Sequence, residues 1–475
     1  MSLPMDSANS SPSRAGGLNS LGEELQKMRV FYQSGITRPY EFRRQQLLAL
    51  KRRVAEHEGE IARALFDDLK KNPEQSYGTE TGLLLAEINM ALKKLRRWMK
   101  PRRVTTNLAN LPSSSRIFRD PLGVVLIIAP WNYPLQLSLI PLVGAIAGGN
   151  IAVVKPSELA PATAAVIEKI VVSSFEPDFV RVVQGEGAVV VPQLMRAFRF
   201  DHIFYTGSIP VGRAIYQQAA SDLIPVTLEL GGKSPVIVEA DADLYIAARR
   251  IAFGKFLNAG QTCIAPDYLL VHRNVRDRFL QKLEEVILAF YGPDPSQSRD
   301  YGKIINQERF EKLVGYISGA RIILGGRHDK ANLYISPTVL DQISPSASVM
   351  KEEIFGPLLA VFEFDSEKEA LSILRQHPDP LSFYVFTSSR DRERFWIESV
   401  PFGNGCINNT VWQFANHHLP FGGIRDSGIG RYHGRYTFET FTHPKAVMKT
   451  PVWPDPDMKY PPFQGKLKWF KWLIR

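Results

Sequence analysis

The sequence is poor in cysteine, with only Cys263 and Cys406 in 475 residues. Two cysteines form at most one disulfide, and no signal-peptide pattern opens the chain, so we do not expect a disulfide-scaffolded secreted protein. Long uninterrupted apolar runs are also lacking. The most apolar stretch, residues 135–154, contains Gln136, Pro141 and three glycines, which predicts a buried helix followed by a strand rather than a membrane span. We therefore expect a cytoplasmic protein.

The remaining composition is that of a globular chain, with 44% hydrophobic and 22% charged residues. This length and balance exclude collagen, a long coiled coil and global disorder, and they are sufficient for two cores. The net charge of +10 suggests nucleic acid or an anionic membrane as a partner, but no groove-reading or base-stacking motif occurs, so nucleic acid is not predicted. Residues 93–103 hold seven basic residues that continue a helical pattern, which favours a solvated helix face.

The spacing of apolar residues divides the chain into segments. Residues 1–20 lack periodicity, which predicts a disordered lead-in, and residues 21–98 repeat at helical spacing. Short β-branched runs then alternate with helix-length segments, which is typical of parallel sheets with helices on both faces. The predicted strands lie at residues 124–129, 151–154, 181–183, 202–205 and 226–230, and in a second set at 235–238, 268–271, 322–324, 358–362 and 382–386.

These two sets of strands predict an α/β fold with two doubly wound domains, one Rossmann-like for a cofactor and one catalytic. A helical prelude precedes them, and we expect a small oligomerisation element near the end of the chain. The predicted bounds are 21–230 for the helices and the dinucleotide-binding domain, 231–426 for the catalytic domain, 427–455 for a return and oligomerisation segment, and 456–475 for an amphipathic tail.

Three side chains occupy places that suit covalent chemistry. Cys263 lies in a Gly- and Pro-flanked turn before a predicted strand, where catalytic side chains concentrate, although a buried inert thiol is the alternative. Glu229 stands between apolar neighbours before two glycines, as a general base would, or in an ion pair with a lysine. Asn132 follows the first predicted strand, where an amide donates to a developing oxyanion or only forms a turn.

Two further turns suit a nucleotide. Residues 202–212 read as strand, glycine turn and helix, which would direct the free N–H groups after Gly207 and Ser208 to a phosphate. Lys155 and Glu158 follow another predicted strand and suit ribose hydroxyls. Each segment also fits an ordinary βα turn. No metal-ligand pattern is predicted.

Together these segments resemble the aldehyde dehydrogenase superfamily. Seven motifs follow the family order from about residue 25 to 450: Pro-Trp-Asn (130–132), Lys-Pro-Ser-Glu (155–158), Thr-Gly-Ser (206–208), Leu-Glu-Leu-Gly-Gly-Lys-Ser-Pro (228–235), Gly-Gln-Thr-Cys (260–263), Lys-Glu-Glu-Ile-Phe-Gly-Pro (351–357) and Pro-Phe-Gly-Gly (420–423). Residues 263–268, 427–430 and 432–434 resemble the class 3 branch, which includes fatty and aromatic aldehyde dehydrogenases.

The resemblance implies a role for each matching residue. Catalysis falls to Cys263 as nucleophile, Glu229 as general base and Asn132 as oxyanion donor. The implied cofactor residues are Lys155 and Glu158 at the adenine ribose, Gly207 and Ser208 at the pyrophosphate, and Glu353 and Phe355 at the nicotinamide ribose and ring. Phe421 and Tyr133 are the implied substrate-binding residues. Tyr205 and Pro210 depart from the family pattern around the glycine turn.

The resemblance further implies NAD, with NADP as an open alternative, and NAD(P)-dependent oxidation of a medium-chain, long-chain or aromatic aldehyde to the acid through a thioester. A CoA-acylating enzyme and a cofactor-free cysteine hydrolase with a base from His417 or His418 are the rivals. A homodimer is the implied assembly. Residues 466–475 interleave cations with aromatics, which predicts attachment to the cytoplasmic face of an anionic membrane. The alternative is that this segment caps the tunnel through which the substrate enters, or packs on a partner subunit.

Overall fold

The computed structural model describes residues 14–474, with side chains from residue 21 onward. The first helix begins at Arg14, so residues 14–20 of the predicted disordered lead-in are helical, and residues 1–13 lie outside the described part. The helices are α1 (Arg14–Gln33), α2 (Tyr40–Glu56), α3 (Glu58–Leu69), α4 (Pro73–Ser76), α5 (Gly82–Met99), α6 (Pro134–Gly148), α7 (Pro161–Ser174), α8 (Gly187–Ala197), α9 (Ile209–Ser221), α10 (Leu244–Phe256), α11 (Arg276–Tyr291), α12 (Gln307–Ile317), α13 (Ser348–Lys351), α14 (Glu367–Leu374), α15 (Arg390–Ser399), α16 (Arg435–Thr440) and α17 (Leu467–Leu473).

The strands follow the predicted runs and add several more. They are β1 (Arg102–Val104), β2 (Ser114–Pro121), β3 (Val124–Ile128), β4 (Ile151–Lys155), β5 (Val180–Val182), β6 (His202–Thr206), β7 (Val226–Glu229), β8 (Pro235–Val238), β9 (Tyr268–His272), β10 (Arg321–Leu324), β11 (His328–Asp329), β12 (Tyr334–Ile335), β13 (Thr338–Asp341), β14 (Leu358–Phe364), β15 (Ser382–Phe386), β16 (Asn404–Ile407), β17 (Gly428–Ile429) and β18 (Thr442–Lys449).

The first large sheet has six strands in the order β17-β7-β6-β3-β4-β5. All neighbours in it are parallel except β17, which runs antiparallel to β7. From β3 the chain adds strands on one side and then returns to add β6 and β7 on the other, so the strand order reverses between β3 and β6. In open α/β sheets a ligand crevice forms at the carboxyl ends of such strands. The predicted α/β class is confirmed.

The second sheet has seven strands in the order β10-β13-β14-β9-β8-β15-β16. It is parallel except for β10, an exposed edge strand that pairs antiparallel with β13. Sheet membership changes between Glu229 and Pro235, around the predicted domain boundary at Gly231-Gly232, but β17 returns the chain to the first sheet. The predicted domain bounds stay predictions.

A third, antiparallel sheet joins β1, β2 and β18. The sequence predicted an oligomerisation segment at residues 427–455, which contains β18, but it predicted neither β1 nor β2. The strands of this sheet carry many exposed polar side chains, so their sequence lacks the apolar runs from which the other strands were predicted. The buried helix predicted within residues 135–154 is confirmed: every residue of α6 is buried, and β4 follows it. Among the described residues no helix is long and apolar enough to cross a membrane.

Candidate active site

Cys263 lies in a tight turn that precedes β9. Asn258 and Ala259 have positive φ angles of 53° and 51°, and Gly260 follows at 74°, where a Cβ atom would overlap the carbonyl of Gly356. The Gln261 side chain holds this turn: its Nε2 donates to the carbonyls of Asn258 at 3.0 Å and Lys303 at 2.9 Å, and its Oε1 accepts from Ile305 N at 3.0 Å. The thiol is therefore presented by a rigid backbone.

The surroundings of the Cys263 thiol oppose its ionisation. Burial raises its pKa most, and the carboxylates of Glu353 and Glu229 raise it further. Cys263 as a whole residue is half-buried. Because the two carboxylates repel a thiolate, their protonation or the arrival of positive charge would favour the nucleophilic form.

Glu229 ends β7 and is only 3% exposed. Neither of its carboxylate oxygens has a hydrogen-bond partner among the described residues, and burial raises its pKa well above the ordinary value. The alternative of an ion pair with a lysine is not realised, since Lys233, the nearest lysine in sequence, pairs with Asp267 instead. A buried carboxyl group without partners is costly in a purely structural role, so it indicates a functional one.

Asn132 and Tyr133 connect the end of β3 to the cysteine turn. The Asn132 amide Nδ2 donates to the Gln261 carbonyl at 3.1 Å, and the Tyr133 hydroxyl lies 2.6 Å from the Thr262 hydroxyl. Asn132 is buried, and its Oδ1 atom has no partner in the described structure. The amide thus reaches the segment that presents Cys263, as an oxyanion donor must.

Sequence reasoning missed Lys71 and Glu80, which hold this connection in place. They form a fully buried ion pair of 2.7 Å, and Lys71 Nζ also donates to the Asn132 carbonyl at 3.0 Å. The Glu80 carboxylate accepts from the N–H groups of Leu135 at 2.8 Å and Gln136 at 3.2 Å, at the start of α6. No local pattern marks either residue, because Asn132 lies about sixty residues away in sequence.

A cavity of about 130 Å³ joins several of the predicted residues. Cys263, Glu229, Tyr133 and Phe421 line it together with apolar side chains such as Leu257. The described lining contains no histidine, and His417 and His418 lie on a different cavity. A cysteine hydrolase would need a histidine base at the thiol, so this arrangement contradicts that rival.

The residues predicted at the adenine ribose lie at the end of β4. Lys155, buried, pairs with Glu158, which is 35% exposed, and Glu158 also accepts from the Gly187 N–H group at 2.9 Å. A Cβ atom on Gly187 would lie 3.4 Å from this carboxylate. The solvent-exposed side of the Glu158 carboxylate can therefore still accept hydrogen bonds from the hydroxyl groups of a ribose.

The predicted pyrophosphate turn begins a helix with unused donors. Ser208 precedes α9 without a side-chain cap, and Pro210 occupies its first turn. The N–H groups there suit an anion. The departure at Tyr205 has a structural role: its hydroxyl donates to the Ser208 carbonyl at 3.4 Å and fills the space that a Cβ on Gly207 would need. These residues fit a dinucleotide.

Glu353 and Phe355 approach the site from the second sheet. The Glu353 carboxyl lies where a Cβ on Gly231 would be, and burial raises its pKa well above the ordinary value. Phe355 adopts a positive φ of 48° and packs edge-on against Trp131 at 5.3 Å between ring centroids. Phe355 therefore lies beside the segment that carries Asn132, and Glu353 lies beside the glycines that follow Glu229.

The comparisons with known proteins agree with this geometry. A model of the aldehyde dehydrogenase family matches residues 32–447. The chain belongs to the aldehyde dehydrogenase family. This aldehyde dehydrogenase is 42% identical to the 4,4'-diaponeurosporen-aldehyde dehydrogenase of Staphylococcus aureus, over 96% of this chain and 99% of that protein.

Two further relatives cover nearly the whole enzyme. It is 41% identical to the dimeric NADP-preferring aldehyde dehydrogenase of Canis lupus familiaris, over 95% of this chain and 99% of that one. The structure of the substrate-bound state of Staphylococcus aureus AldH superposes with a TM-score of 0.92 at 41% identity, over 95% and 99% of the two chains. The predicted family is confirmed, and with it NAD(P)-dependent oxidation of aldehydes.

Proposed function

We propose that this enzyme oxidises apolar aldehydes, of medium or long aliphatic chain or aromatic, to carboxylic acids. The supporting observation is the cavity at Cys263, whose remaining lining is mostly aliphatic and aromatic. Phe421 packs edge-on against Phe414 at 5.0 Å and Tyr432 at 5.6 Å, which gives this wall a rigid aromatic surface. Such a surface favours an apolar substrate by burial of its chain.

The proposed reaction has two covalent stages. The Cys263 thiol releases its proton to solvent and its sulfur attacks the aldehyde carbon, and the amide of Asn132 with the Cys263 N–H group donates to the resulting oxyanion. Each such donor contributes about 2.7–4 kcal/mol to the transition state. A bound NAD or NADP would supply the hydride acceptor at this carbon, and Cys263 would then hold the acyl group as a thioester.

The second stage releases the acid. Glu229 takes a proton from water, the hydroxyl oxygen bonds to the thioester carbon, and the carbon–sulfur bond breaks to release the Cys263 thiolate; the proton on Glu229 then returns to this sulfur and restores the thiol. Because the Glu229 carboxylate has no hydrogen-bond partner in the part of the chain whose side chains are described, it is free to bind water there. This supports hydrolysis over transfer of the acyl group to coenzyme A.

Variants of the two cysteines test the first stage. Cys263→Ala should abolish NADH formation from aldehyde and NAD, together with any pre-steady-state burst. Cys406→Ala is the matched control, since Cys406 donates to Gln413 at 2.9 Å and is absent from the cavity lining, and it should keep both. Equal loss in two folded variants would reject Cys263 as the nucleophile.

Glu229→Gln tests the second stage. It should form one equivalent of NADH and then accumulate the acyl-enzyme, visible as added mass on the intact chain. Normal steady turnover without acyl-enzyme would contradict the assignment of Glu229. Acceleration of the unmodified enzyme by coenzyme A, with formation of an acyl-CoA, would support the acylating alternative.

We also propose that the enzyme is a homodimer that uses β18 and the chain after it. Seven of the eight residues of β18 are exposed at a sheet edge, and Val452 and Trp453 beyond it are 95% and 85% exposed. Apolar side chains this exposed favour burial against a second copy. Sedimentation equilibrium should give twice the chain mass, and a monomer at all concentrations would reject the dimer.

The tail is proposed as a peripheral anchor on an anionic membrane. Trp469 and Trp472 are 52% and 56% exposed on one side of α17, with Lys468 and Lys471 also exposed. The predicted common face of Trp469, Phe470, Leu473 and Ile474 is only partly formed, because Phe470 packs on Phe463 at 5.8 Å. The described lining of the active-site cavity contains no tail residue, which favours the membrane over a tunnel cap.

Liposomes test the anchor. The full chain should co-sediment with vesicles that contain phosphatidylserine and release at high salt, while a chain that ends at Pro462 should stay in solution. Lys468→Gln/Lys471→Gln, which keeps the aromatics, should bind more weakly. Identical sedimentation of the full and shortened chains would eliminate the anchor.

A further inference from the structure

A second cavity, larger than the one at Cys263, lies between the end of α5, strands β1 and β2, and α16. Its volume is about 490 Å³, compared with about 130 Å³ at the cysteine. Cavities of this size commonly hold small organic ligands. None of the residues placed in the catalytic or cofactor site lines it.

Cations dominate the lining. It holds six Lys and Arg side chains and one carboxylate, that of Glu439. The Glu439 carboxylate already forms ion pairs with two of these cations, Arg119 at 3.2 Å and Arg435 at 2.8 Å. The other four, Lys94, Arg97, Lys100 and Arg102, have no carboxylate within 4.0 Å in the described part of the chain.

The surplus of positive charge needs a physical explanation. Like charges around one concave space repel each other, and a concave wall focuses their field on the space it encloses. Arginine donates to phosphate and carboxylate oxygens with two parallel bonds, so a cluster of this kind suits a compact anion.

The floor of the cavity is apolar. Trp98 and Phe438 pack together at 5.6 Å between ring centroids, and Phe438 is almost completely buried. Met90 and Ile117 extend this surface. The cations lie around an apolar floor, which is the arrangement that an anion with an apolar chain requires.

The basic run at residues 93–103 separates into two groups in the folded chain. Lys94, Arg97, Lys100 and Arg102 line the cavity, whereas Lys93, Arg96 and Arg103 do not. Six of these seven basic residues are exposed and Lys94 is half-buried, so the prediction of a solvated face holds for the run, and the residues that line the cavity also remain in contact with solvent.

We propose that this cavity is a binding site for an anion with an apolar chain, an alkyl phosphate or an alkyl carboxylate. The head group binds Arg97, Lys100 and Arg102, and the chain lies on Trp98 and Phe438. The proposal is independent of the reaction at Cys263, since the two cavities share no lining residue.

Calorimetric titration of the full-length enzyme with octyl phosphate tests the site, with NAD present to occupy the cofactor turn. The cavity variant is Arg97→Gln/Lys100→Gln/Arg102→Gln, and its matched control is Lys93→Gln/Arg96→Gln/Arg103→Gln, which removes the same charge from the same run. The wild type and the control should bind one equivalent. The cavity variant should bind about tenfold more weakly or worse, as expected from the loss of a charge-assisted hydrogen bond.

Two further ligands separate the parts of the proposal. Octanoate should bind at the same site, whereas inorganic phosphate should bind more weakly because it leaves the apolar floor exposed. Equal affinity for inorganic and octyl phosphate would overturn the role of the floor.

Other outcomes would overturn the site itself. Equal binding by the two triple variants would place the ligand in the substrate cavity or on the surface charge in general. No binding to the native enzyme, with a change of oligomeric state in the cavity variant, would show that a second copy fills the space. The pair Arg97→Gln and Arg96→Gln repeats the comparison with single changes, and aldehyde turnover should stay normal in all these variants.

Discussion

The buried pair of Lys71 and Glu80 offers a sharp test of how Asn132, the proposed oxyanion donor, is held in place. Lys71 bridges Glu80 and the Asn132 carbonyl, and Glu80 in turn accepts from the first N–H groups of α6. Burial lowers the pKa of Lys71 and raises that of Glu80, and each charge partly offsets the effect on the other. Burial of the two charges therefore costs free energy of folding, and the contact between Lys71 and the Asn132 carbonyl indicates that the pair positions Asn132.

The change Lys71→Met removes one charge and leaves the other buried. Loss of one partner of a buried pair costs about 3–5 kcal/mol of unfolding free energy. In Lys71→Met/Glu80→Gln both charges are gone, and the glutamine oxygen still accepts from Leu135 and Gln136. The charge-assisted bond from Lys71 to the Asn132 carbonyl is lost in both variants, but the double variant leaves no unpaired buried charge, so it should recover most of the stability that Lys71→Met loses.

Catalysis should respond differently. Both variants lose the Lys71 donor at the Asn132 carbonyl, while Asn258 Nδ2 continues to donate to it at 2.9 Å. We expect kcat to fall about tenfold in both, with little change in KM, which is less than the ~100- to 1,000-fold loss of a whole oxyanion donor.

Urea unfolding and steady-state kinetics on the same preparations measure the two effects. Equal unfolding midpoints for the single and double variants would refute the argument from the buried charge. A normal kcat in the double variant would refute the positioning of Asn132 by Lys71. Lys71→Arg keeps a charge and should retain more stability than Lys71→Met.

Three further predictions concern single carboxylates. Because burial raises the pKa of Glu229 and only its ionised form takes a proton, acyl-enzyme hydrolysis should rise with pH around a midpoint well above 4.5, and a rate independent of pH would contradict this. Burial raises the pKa of Glu87 to about 7, so stability present below its ordinary pKa of 4.5 is lost as pH rises through about 7. Glu87→Gln should therefore be more stable than the wild type by about 3 kcal/mol in alkaline solution and equal in acid, as measured by urea unfolding. Glu158→Gln should raise kcat/KM with NADP relative to NAD, since the carboxylate repels a 2'-phosphate, and an unchanged ratio would place the 2'-hydroxyl elsewhere.

Much of the fold was predictable because its signals are local. The central strands of both large sheets are buried on two faces, so strands such as β3 and β4 are short apolar runs that the sequence shows directly. The predicted roles of Cys263, Glu229 and Asn132 rest on a related signal: each residue lies in a turn or at a strand end whose glycines, prolines and neighbours form a continuous motif. Their order along the chain already indicated the family.

Long-range contacts decided the rest. Strands β1 and β2 form a sheet with β18 although their mixed polar and apolar sequences were not predicted as strands, and the pairing of β2 with the distant β18 supplies their further hydrogen bonds. Lys71 reaches Asn132, and Lys94 and Arg97 reach the same cavity as Arg435, only after the chain has folded. Whether a charge is paired when it is buried, and which residues line one cavity, depends on which segments of the chain are close together in the fold. The spacing of residues along the sequence does not show this. The candidate reactive groups could therefore be named from the sequence, whereas their burial, their hydrogen-bond partners and the shifts of their pKa values were decided by the tertiary structure.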